Sequence, residues 1–183
     1  MGSSLALEQW LAKLGHQVTV ISPTNWAGWV NWMPGTGKVM DYEKEKQLAD
    51  AILEEADWLF CLDFNIFHRT KTMTEKLKQL RCTKILIDHH QEPDEASFDF
   101  GISSTAKSST CEMIFDLICD AGYADLIDRD IAQCIYAGVV GDTGSFRFPS
   151  ATASVHRLVA VLKEKGLNHS FVHDKLFDNF LEN

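Results

Sequence analysis

Hydrophobic residues follow two different periods along the first hundred residues. Residues 3–16 place apolar side chains every three to four positions and close near Gly15, which predicts a helix with a glycine stop. Residues 17–22, QVTVIS, form a short run of β-formers and predict a strand. The same two patterns predict further helices at residues 43–56 and 74–80, and further strands at residues 58–63, 84–88 and 98–103.

From Ser109 onward the pattern is mainly helical. Four amphipathic stretches, at 111–123, 128–140, 151–166 and 170–177, are interrupted by the segment GDTGSFRF. Strands that alternate with helices favour parallel pairing, because a parallel connection needs a crossover. The predicted fold class is therefore α/β, a mainly parallel sheet with helices on both faces followed by a mostly helical C-terminal part.

Composition narrows the classes of function. The chain has 183 residues, 45% of them hydrophobic, which is enough for one ordinary domain. A net charge of -9 argues against long contact with a nucleic-acid duplex. No apolar run has transmembrane length, and the N-terminus lacks a signal pattern. Five cysteines without CxxC spacing indicate reduced thiols, so the expected location is cytoplasmic, without a membrane partner.

Polar side chains follow two of the predicted strands where each strand ends. Asp63 ends one apolar run, and Asp88, His89 and His90 end the next. In an open parallel sheet, ligand sites lie beyond the carboxyl ends of the strands. Asp142, in the glycine-flanked segment GVVGDTGSF, is the third candidate. Asp63, His89 and Asp142 together predict a mixed oxygen and nitrogen site for a divalent metal.

Each of these residues also has a simpler interpretation. Asp63 alone is more typical of a turn or cap, Asp142 between glycines could define a turn, and both histidines could be surface residues. Adjacent strand residues point to opposite sides, so only one of the two histidines is expected to bind a metal directly. Arg147 could meet a substrate phosphate or pair with an acidic side chain. The metal hypothesis depends on the combination of all three donors.

Four segments carry a resemblance to a known family. The Asp-His-His triplet at residues 88–90, the earlier CLDFN with Asp63, the later GVVGDTGSFRF with Asp142, and SSTAKSSTCEMIFDLI with Glu112 occur in the family's order. With them the chain resembles the DHH phosphoesterase superfamily. In detail it is similar to bacterial oligoribonuclease and adenosine bisphosphate phosphatase members, some of which are described as exopolyphosphatase-related.

The resemblance implies a mechanism and a set of roles. Asp63 would bridge two manganese ions, while His89 and Asp142 would bind one of them. Two such ions can activate a bridging water for in-line attack on a phosphoester. His90 would face the substrate phosphate, and Asp88 would orient a histidine. The implied partners are short single-stranded oligonucleotides or small phosphorylated nucleotides such as nucleoside 3',5'-bisphosphates.

The chain departs from the family pattern at both ends. In the family a His-x-x-x-Asp-x-Asp motif precedes a Gly-Ser-Ser helix start, and residues 2–4 match only that helix start. A C-terminal substrate-binding domain also has no counterpart here. We therefore expect residues 1–183 to be a single DHH catalytic domain, truncated at both ends, that binds at most one Mn²⁺ and hydrolyses phosphoesters slowly.

Two other classes of function stay open on the sequence. The first is a catalytically inactive module that binds a nucleotide or a protein through the remaining pocket. The second is a nucleotide-binding domain of flavodoxin or Rossmann type, which is disfavoured because no GxGxxG segment follows a strand. A second copy of the chain, in a homodimer, is a further candidate partner.

Overall fold

Parallel strand pairs form the centre of the protein. The computed structural model describes residues 1–178, so residues 179–183 of the predicted domain lie outside the description. Its strands are β1 (Ile21–Ser22), β2 (Met40–Asp41), β3 (Trp58–Leu62), β4 (Thr83–Asp88) and β5 (Phe100–Ser103). β1 pairs with β2, and β3, β4 and β5 form a second sheet in that order. Every pair is parallel, which confirms the predicted fold class.

Helices fill most of the remaining chain. They are α1 (Gly2–Lys13), α2 (Lys46–Glu55), α3 (Thr74–Gln79), α4 (Thr110–Asp120), α5 (Arg129–Asp142), α6 (Ala153–Glu164) and α7 (His169–Phe177). Each lies at a predicted helical segment, and four of them follow β5, as the helical C-terminal pattern predicts. Within residues 1–178, none of these helices has the length and apolar character needed to cross a bilayer.

The expected single sheet is split into two parts. Of the strand predicted at residues 17–22, only Ile21 and Ser22 pair with another strand. Their partner, β2, was not predicted, because two residues are too few to show the alternation of apolar and polar side chains that marks a strand. A cavity of about 340 Å³ lies between the two parts and is lined by Ile21 and Ser22 on one side and residues 59–64 on the other. β3 therefore has one hydrogen-bonded neighbour, β4, within the described residues.

Apolar side chains pack on both faces of the three-stranded sheet. The alternation along β4 sends Leu86 to one face and Ile87 to the other. The larger cluster joins the five helices α1, α4, α5, α6 and α7 through Leu5, Ile114, Ile131, Ile135, Leu162 and Val172. The smaller cluster joins α2 and α3 to the sheet through Ala49, Leu53, Leu77, Cys61 and Leu86.

Close packing positions α4 and α5, the two helices whose ends reach the rim of the sheet. At Gly138 on α5, an added Cβ would lie 2.2 Å from Cys111 Sγ on α4. At Gly2 on α1, an added Cβ would lie 2.5 Å from the backbone oxygen of Cys134. The absence of side chains at these two positions lets α1, α4 and α5 approach one another closely.

We expect Gly138→Ala to lower the free energy of unfolding by about 2 kcal/mol. Forcing a methyl group into this contact costs about 3 kcal/mol, and the better helix propensity of alanine recovers about 1 kcal/mol. Urea unfolding followed by circular dichroism measures the change.

Gly141→Ala is the matched control, because Gly141 lies on the same helix and an added Cβ there meets no atom within 4 Å. It should leave stability unchanged or raise it by up to about 1 kcal/mol. Equal effects of the two substitutions would contradict the proposed steric role of Gly138.

Candidate metal centre

The register between β3 and β4 brings their last residues to one rim. Leu62 pairs with Ile87, and the Asp63 amide donates to the Ile87 carbonyl at 3.2 Å. Asp63 therefore lies immediately beside the end of β4. Its φ of 67° is left-handed, a region that aspartate tolerates better than most residues. Such strained backbone often occurs at functional sites.

The three sequence-predicted donors converge at this rim. His89 Nε2 lies 3.5 Å from Asp63 Oδ1 and 3.9 Å from Asp142 Oδ2. Nitrogen and oxygen ligands bind a divalent ion at about 2.1 Å, so two ligands of one ion can be at most about 4.2 Å apart. Both distances from His89 fit that limit, and carboxylate and imidazole donors suit a divalent cation. The three side chains whose donor atoms all lie within 4.8 Å of one another are Asp63, His89 and His90, with Asp142 beside them.

Asp142 reaches the rim from a helix. A turn between glycines was the simpler alternative for this residue, but Asp142 is the last residue of α5 and the preceding glycine is helical. The backbone flexibility expected of that glycine is therefore not used at this position. The end of α5 carries the negative pole of the helix dipole, which adds to the attraction of a cation.

The two adjacent histidines lie on the same side, so the prediction that they point to opposite sides is wrong. The rings of His89 and His90 are 4.7 Å apart, and one donor atom from each lies within 4.8 Å of the other and of a carboxylate oxygen of Asp63. The alternation of side chains ends with β4 at Asp88. The histidines occupy the following turn, where strand geometry no longer applies.

Asp88 holds His90 in place through two contacts. Its fully buried carboxylate accepts a hydrogen bond from the His90 backbone amide at 3.0 Å and lies 2.7 Å from Nδ1 of the ring. Because an ionised carboxylate can only accept, Nδ1 carries the proton and Nε2 is left unprotonated in the neutral ring. This is the contact that orients a histidine beside a metal or a substrate.

Thr110 is a site residue that the sequence reasoning missed. As the first residue of α4 it is buried, and its Oγ1 donates to Asp63 Oδ1 at 3.0 Å. Ser109 caps the same helix by accepting from the Glu112 amide. The sequence did contain a signal for such a residue, namely the hydroxyl residues at the start of the helix that follows β5. The start of that helix faces the same rim as the strand ends.

Glu112 anchors the start of α4 to its surroundings. Its buried carboxylate accepts from the Ser108 amide at 2.7 Å and from Ser154 Oγ on α6 at 3.1 Å. Burial alone would raise the pKa of Glu112, but the hydrogen bonds from Ser108 and the nearby Lys107 hold it below its usual value. The turn that presents Thr110 is therefore fixed on two sides.

Arg147 follows Asp142 in a tightly wound segment. Three consecutive residues, 144–146, have φ values of 55°, 59° and 65°. Arg147 Nε donates to the Gly144 carbonyl at 2.8 Å, which closes this segment. Within residues 1–178 the salt bridge proposed as an alternative for Arg147 does not form. Its contact with a substrate phosphate stays a prediction.

The charges at the rim favour a cation. Burial raises the pKa of Asp142, and the Asp63 carboxylate raises it further. The Asp63 carboxylate also raises the pKa of His89 above its usual 6.5, against the effect of burial. Burial would raise the pKa of Asp63 itself, but contacts from His89 and Thr110 lower it. Two carboxylates thus face the His89 imidazole, and both would also attract a cation placed among them.

Comparisons with known proteins identify relatives of this chain. The model of the DHH family, N-terminal domain, matches residues 1–139. A crystal structure of an exopolyphosphatase-related protein from Bacteroides fragilis superposes with a TM-score of 0.96 at 34% identity over 99% of this chain. The bifunctional oligoribonuclease and PAP phosphatase NrnA of Bacillus subtilis is 32% identical over 96 residues. The uncharacterized protein MG371 of Mycoplasma genitalium is 33% identical over 114 residues.

These relatives are longer than the part they share with this chain. The match covers 62% of this chain but 34% of the Mycoplasma protein, and 52% of this chain but 30% of the Bacillus protein. It also covers 53% of the Bacteroides chain. The similarity therefore concerns only part of each relative.

Affinity for Mn²⁺ should fall as pH is lowered, because protons and the cation compete for His89. Since the pKa of His89 is raised, the loss should begin above the usual imidazole value of 6.5. Calorimetric titrations from about pH 6 to about pH 8.5 should show roughly one proton released per ion near the lower end. Affinity that stays constant across this range would contradict a His89 ligand.

Thr110→Val should weaken Mn²⁺ binding by about tenfold, because Asp63 loses the hydrogen bond that orients it. Calorimetry at one pH measures the change, and circular dichroism shows whether the fold is kept. Thr105→Val is the matched control, since Thr105 is exposed in the same segment. Equal affinities of both variants would show that Thr110 does not position Asp63.

Proposed function

We propose, from the premise that this chain belongs to the DHH family, that it hydrolyses phosphoester bonds with the help of a divalent cation. The observation that supports the proposal is the position of Asp63 and Asp142 at one rim, 3.5 Å and 3.9 Å from His89. The printed name of the Bacillus relative describes two phosphoester-cleaving activities, which supports the same reaction class.

The proposed cation is Mn²⁺. Carboxylates suit hard divalent ions and imidazole suits transition metals, so a set of two carboxylates and a histidine fits manganese. When bound, such an ion lowers the pKa of a coordinated water and so supplies a nucleophile near neutral pH. Asp63, His89 and Asp142 would hold the ion, and the histidine would have to be neutral to do so.

His90 is the proposed acid and phosphate contact. Asp88 holds its Nδ1, so Nε2, when protonated, is directed to donate a hydrogen bond to a phosphoryl oxygen or to give its proton to the leaving oxygen. Arg147 is the proposed second phosphate contact, through the guanidinium nitrogens that do not bond Gly144. Both residues act on the substrate, whereas Asp88 acts through His90.

Small phosphorylated nucleotides are the proposed substrates, either short single-stranded oligonucleotides or nucleoside 3',5'-bisphosphates. A net charge of -9 disfavours a long polyanion, so local cations would have to attract a small one. We place the activity in the cytoplasm. All five cysteines are unpaired, and three of them are buried, as suits a reducing compartment.

The number of ions sets the expected rate. Residues 1–178 contain one group of three or more mutually close metal-ligating side chains, Asp63, His89 and His90, with Asp142 beside it. We therefore propose that the chain binds one Mn²⁺ weakly and hydrolyses phosphoesters slowly.

The presence of a single such group also favours the second candidate function, an inactive module that binds a nucleotide or a protein. Two tight manganese sites in a calorimetric titration would contradict the one-ion proposal.

The decisive experiment compares binding and hydrolysis in the same variants. Asp63→Asn should abolish both Mn²⁺ binding and Mn²⁺-dependent hydrolysis of a dinucleotide or a 3',5'-bisphosphate. His90→Gln should lower the hydrolysis rate about 100-fold but keep Mn²⁺ binding within a few-fold, because in this proposal His90 acts as an acid while Asp63, His89 and Asp142 hold the ion. Product release followed by chromatography over long incubations measures the rates.

His68→Gln is the control, since His68 is an exposed histidine outside the rim. It should change neither quantity. Nucleotide binding without any Mn²⁺-dependent hydrolysis in the unsubstituted chain would support the inactive module over the enzyme.

A further inference from the structure

Asn65 bridges the segment that follows β3 and the segment that follows β4. Its half-buried side chain donates through Nδ2 to the Gln91 carbonyl at 2.5 Å and to the Glu92 carbonyl at 3.3 Å. Its own backbone carbonyl accepts from the Asp94 amide at 2.9 Å. One residue thus holds both ends of residues 91–94.

Segment 91–94 directly follows His90, and its first half has little else to hold it. Gln91 and Glu92 are exposed, and Glu92 has a left-handed φ of 57°, which costs energy for a residue other than glycine. Among the residues that the structure describes, only Asn65 donates to the carbonyls of these two residues. Without the Asn65 side chain the segment would lose these restraints.

An asparagine side chain suits this position for a chemical reason. Its amide group has two N–H donors, so it can bond two carbonyls at once. An aspartate has the same shape, but its carboxylate only accepts hydrogen bonds and would face two carbonyl oxygens. The contact with segment 91–94 therefore depends on the amide group and not only on the size of the side chain.

Asn65 extends the junction between the two strands beyond their last backbone pair. The Asp63 amide donates to the Ile87 carbonyl, and the pairing of β3 with β4 does not continue as far as His90. Asp88 holds the His90 ring through Nδ1, whereas Asn65 holds the chain that comes after it. The position of this histidine thus depends on one restraint before it and one after it.

We propose that Asn65 is a positioning residue for His90. By holding segment 91–94, Asn65 keeps the His90 ring against Asp88 and directs its Nε2 toward the place of the substrate phosphate. This inference rests on the proposed function, which assigns the phosphate contact to His90. Asn65 acts through this histidine and contacts neither the substrate nor the ion.

Hydrogen exchange tests the restraint without any need for activity. In Asn65→Ala the amides of Asp94 and Ser97 should exchange at least about tenfold faster. The first donates to the Asn65 carbonyl and the second to the Asp94 carbonyl, so both protect a segment that has lost its side-chain anchor. Amides of α4 should exchange as in the unsubstituted chain. Unchanged exchange at both Asp94 and Ser97 overturns the proposal.

The His90 ring gives a second signature that is independent of activity. Because Asp88 holds the proton on Nδ1, the ¹⁵N chemical shifts of the neutral ring should show a single tautomer in the unsubstituted chain. In Asn65→Ala the ring should leave Asp88 for part of the time, so the shifts should move toward the average of the two tautomers. His90 shifts that the substitution leaves unchanged also overturn the proposal.

A double-mutant cycle tests the consequence for catalysis. Asn65→Ala and Asn65→Asp should each lower kcat about tenfold, because the acid is no longer held in place. In chains that already carry His90→Gln, the same substitutions should lower kcat less than about twofold, because no acid is left to position. Equal tenfold losses in both backgrounds would mean that Asn65 does not act through His90, which overturns the proposal.

Asn168→Asp is the matched control for the added charge of Asn65→Asp. Asn168 caps α7 by accepting from the Phe171 amide, and aspartate caps a helix about as well as asparagine does. This control should leave the exchange rates, the His90 shifts and kcat unchanged.

Failure of this inference can be told apart from failure of the proposed function. If the unsubstituted chain hydrolyses no phosphoester, the proposed function fails, and the exchange rates and the His90 shifts still decide whether Asn65 positions His90. If hydrolysis occurs but Asn65→Ala changes neither the exchange nor the shifts, the proposed function stands and this inference falls.

Discussion

The hydrogen-bonded register between β3 and β4 is the constraint on which the candidate site depends. Leu62 opposite Ile87 places Asp63 beside the end of β4, and the triplet that follows begins at the same level. A slip of one residue would turn the alternating side chains to the wrong faces and remove Leu86 from the core. The packing of β4 on both faces therefore also fixes where the polar residues lie.

Helix packing supplies the rest of the constellation. Close contact at Gly138 and Cys111 sets α5 against α4, so that the end of one helix and the start of the other meet the strand ends. Asp142 comes from the first and Thr110 from the second. Because Glu112 ties the start of α4 to α6, five elements (β3, β4, α4, α5 and α6) have to be in place before the site residues meet. The site is thus a product of tertiary structure and not of any one segment.

Much of this could be predicted from the sequence, for a physical reason. Apolar runs that end in Asp63 and in the triplet at 88–90 indicate strands, and parallel strands bring their carboxyl ends together. The convergence with Asp142 was expected from the family resemblance. The role of Asp88 in orienting a histidine was expected, but the placement of both histidine rings on one side could not be foreseen, because the turn after β4 determines it. β2 was missed because two residues carry no periodicity.

Thr110 shows the limit of reasoning from residue type alone. Its hydroxyl bonds Asp63 across 47 positions of sequence, and nothing in the local pattern distinguishes it from the neighbouring hydroxyl residues. The glycine before Asp142 left a turn open as an alternative, and the structure shows a helix there instead. Both cases depend on the packing of whole helices against the sheet, which no local sequence pattern records.

The carboxylates of the rim are open to water, with about 40% of the Asp63 side chain and 41% of the Asp142 side chain exposed. An ion held there would not be sealed in during folding. The ion could leave and be replaced on the folded protein. The metal ions available around the folded protein, rather than the ion present while the chain folded, would then decide which ion is bound.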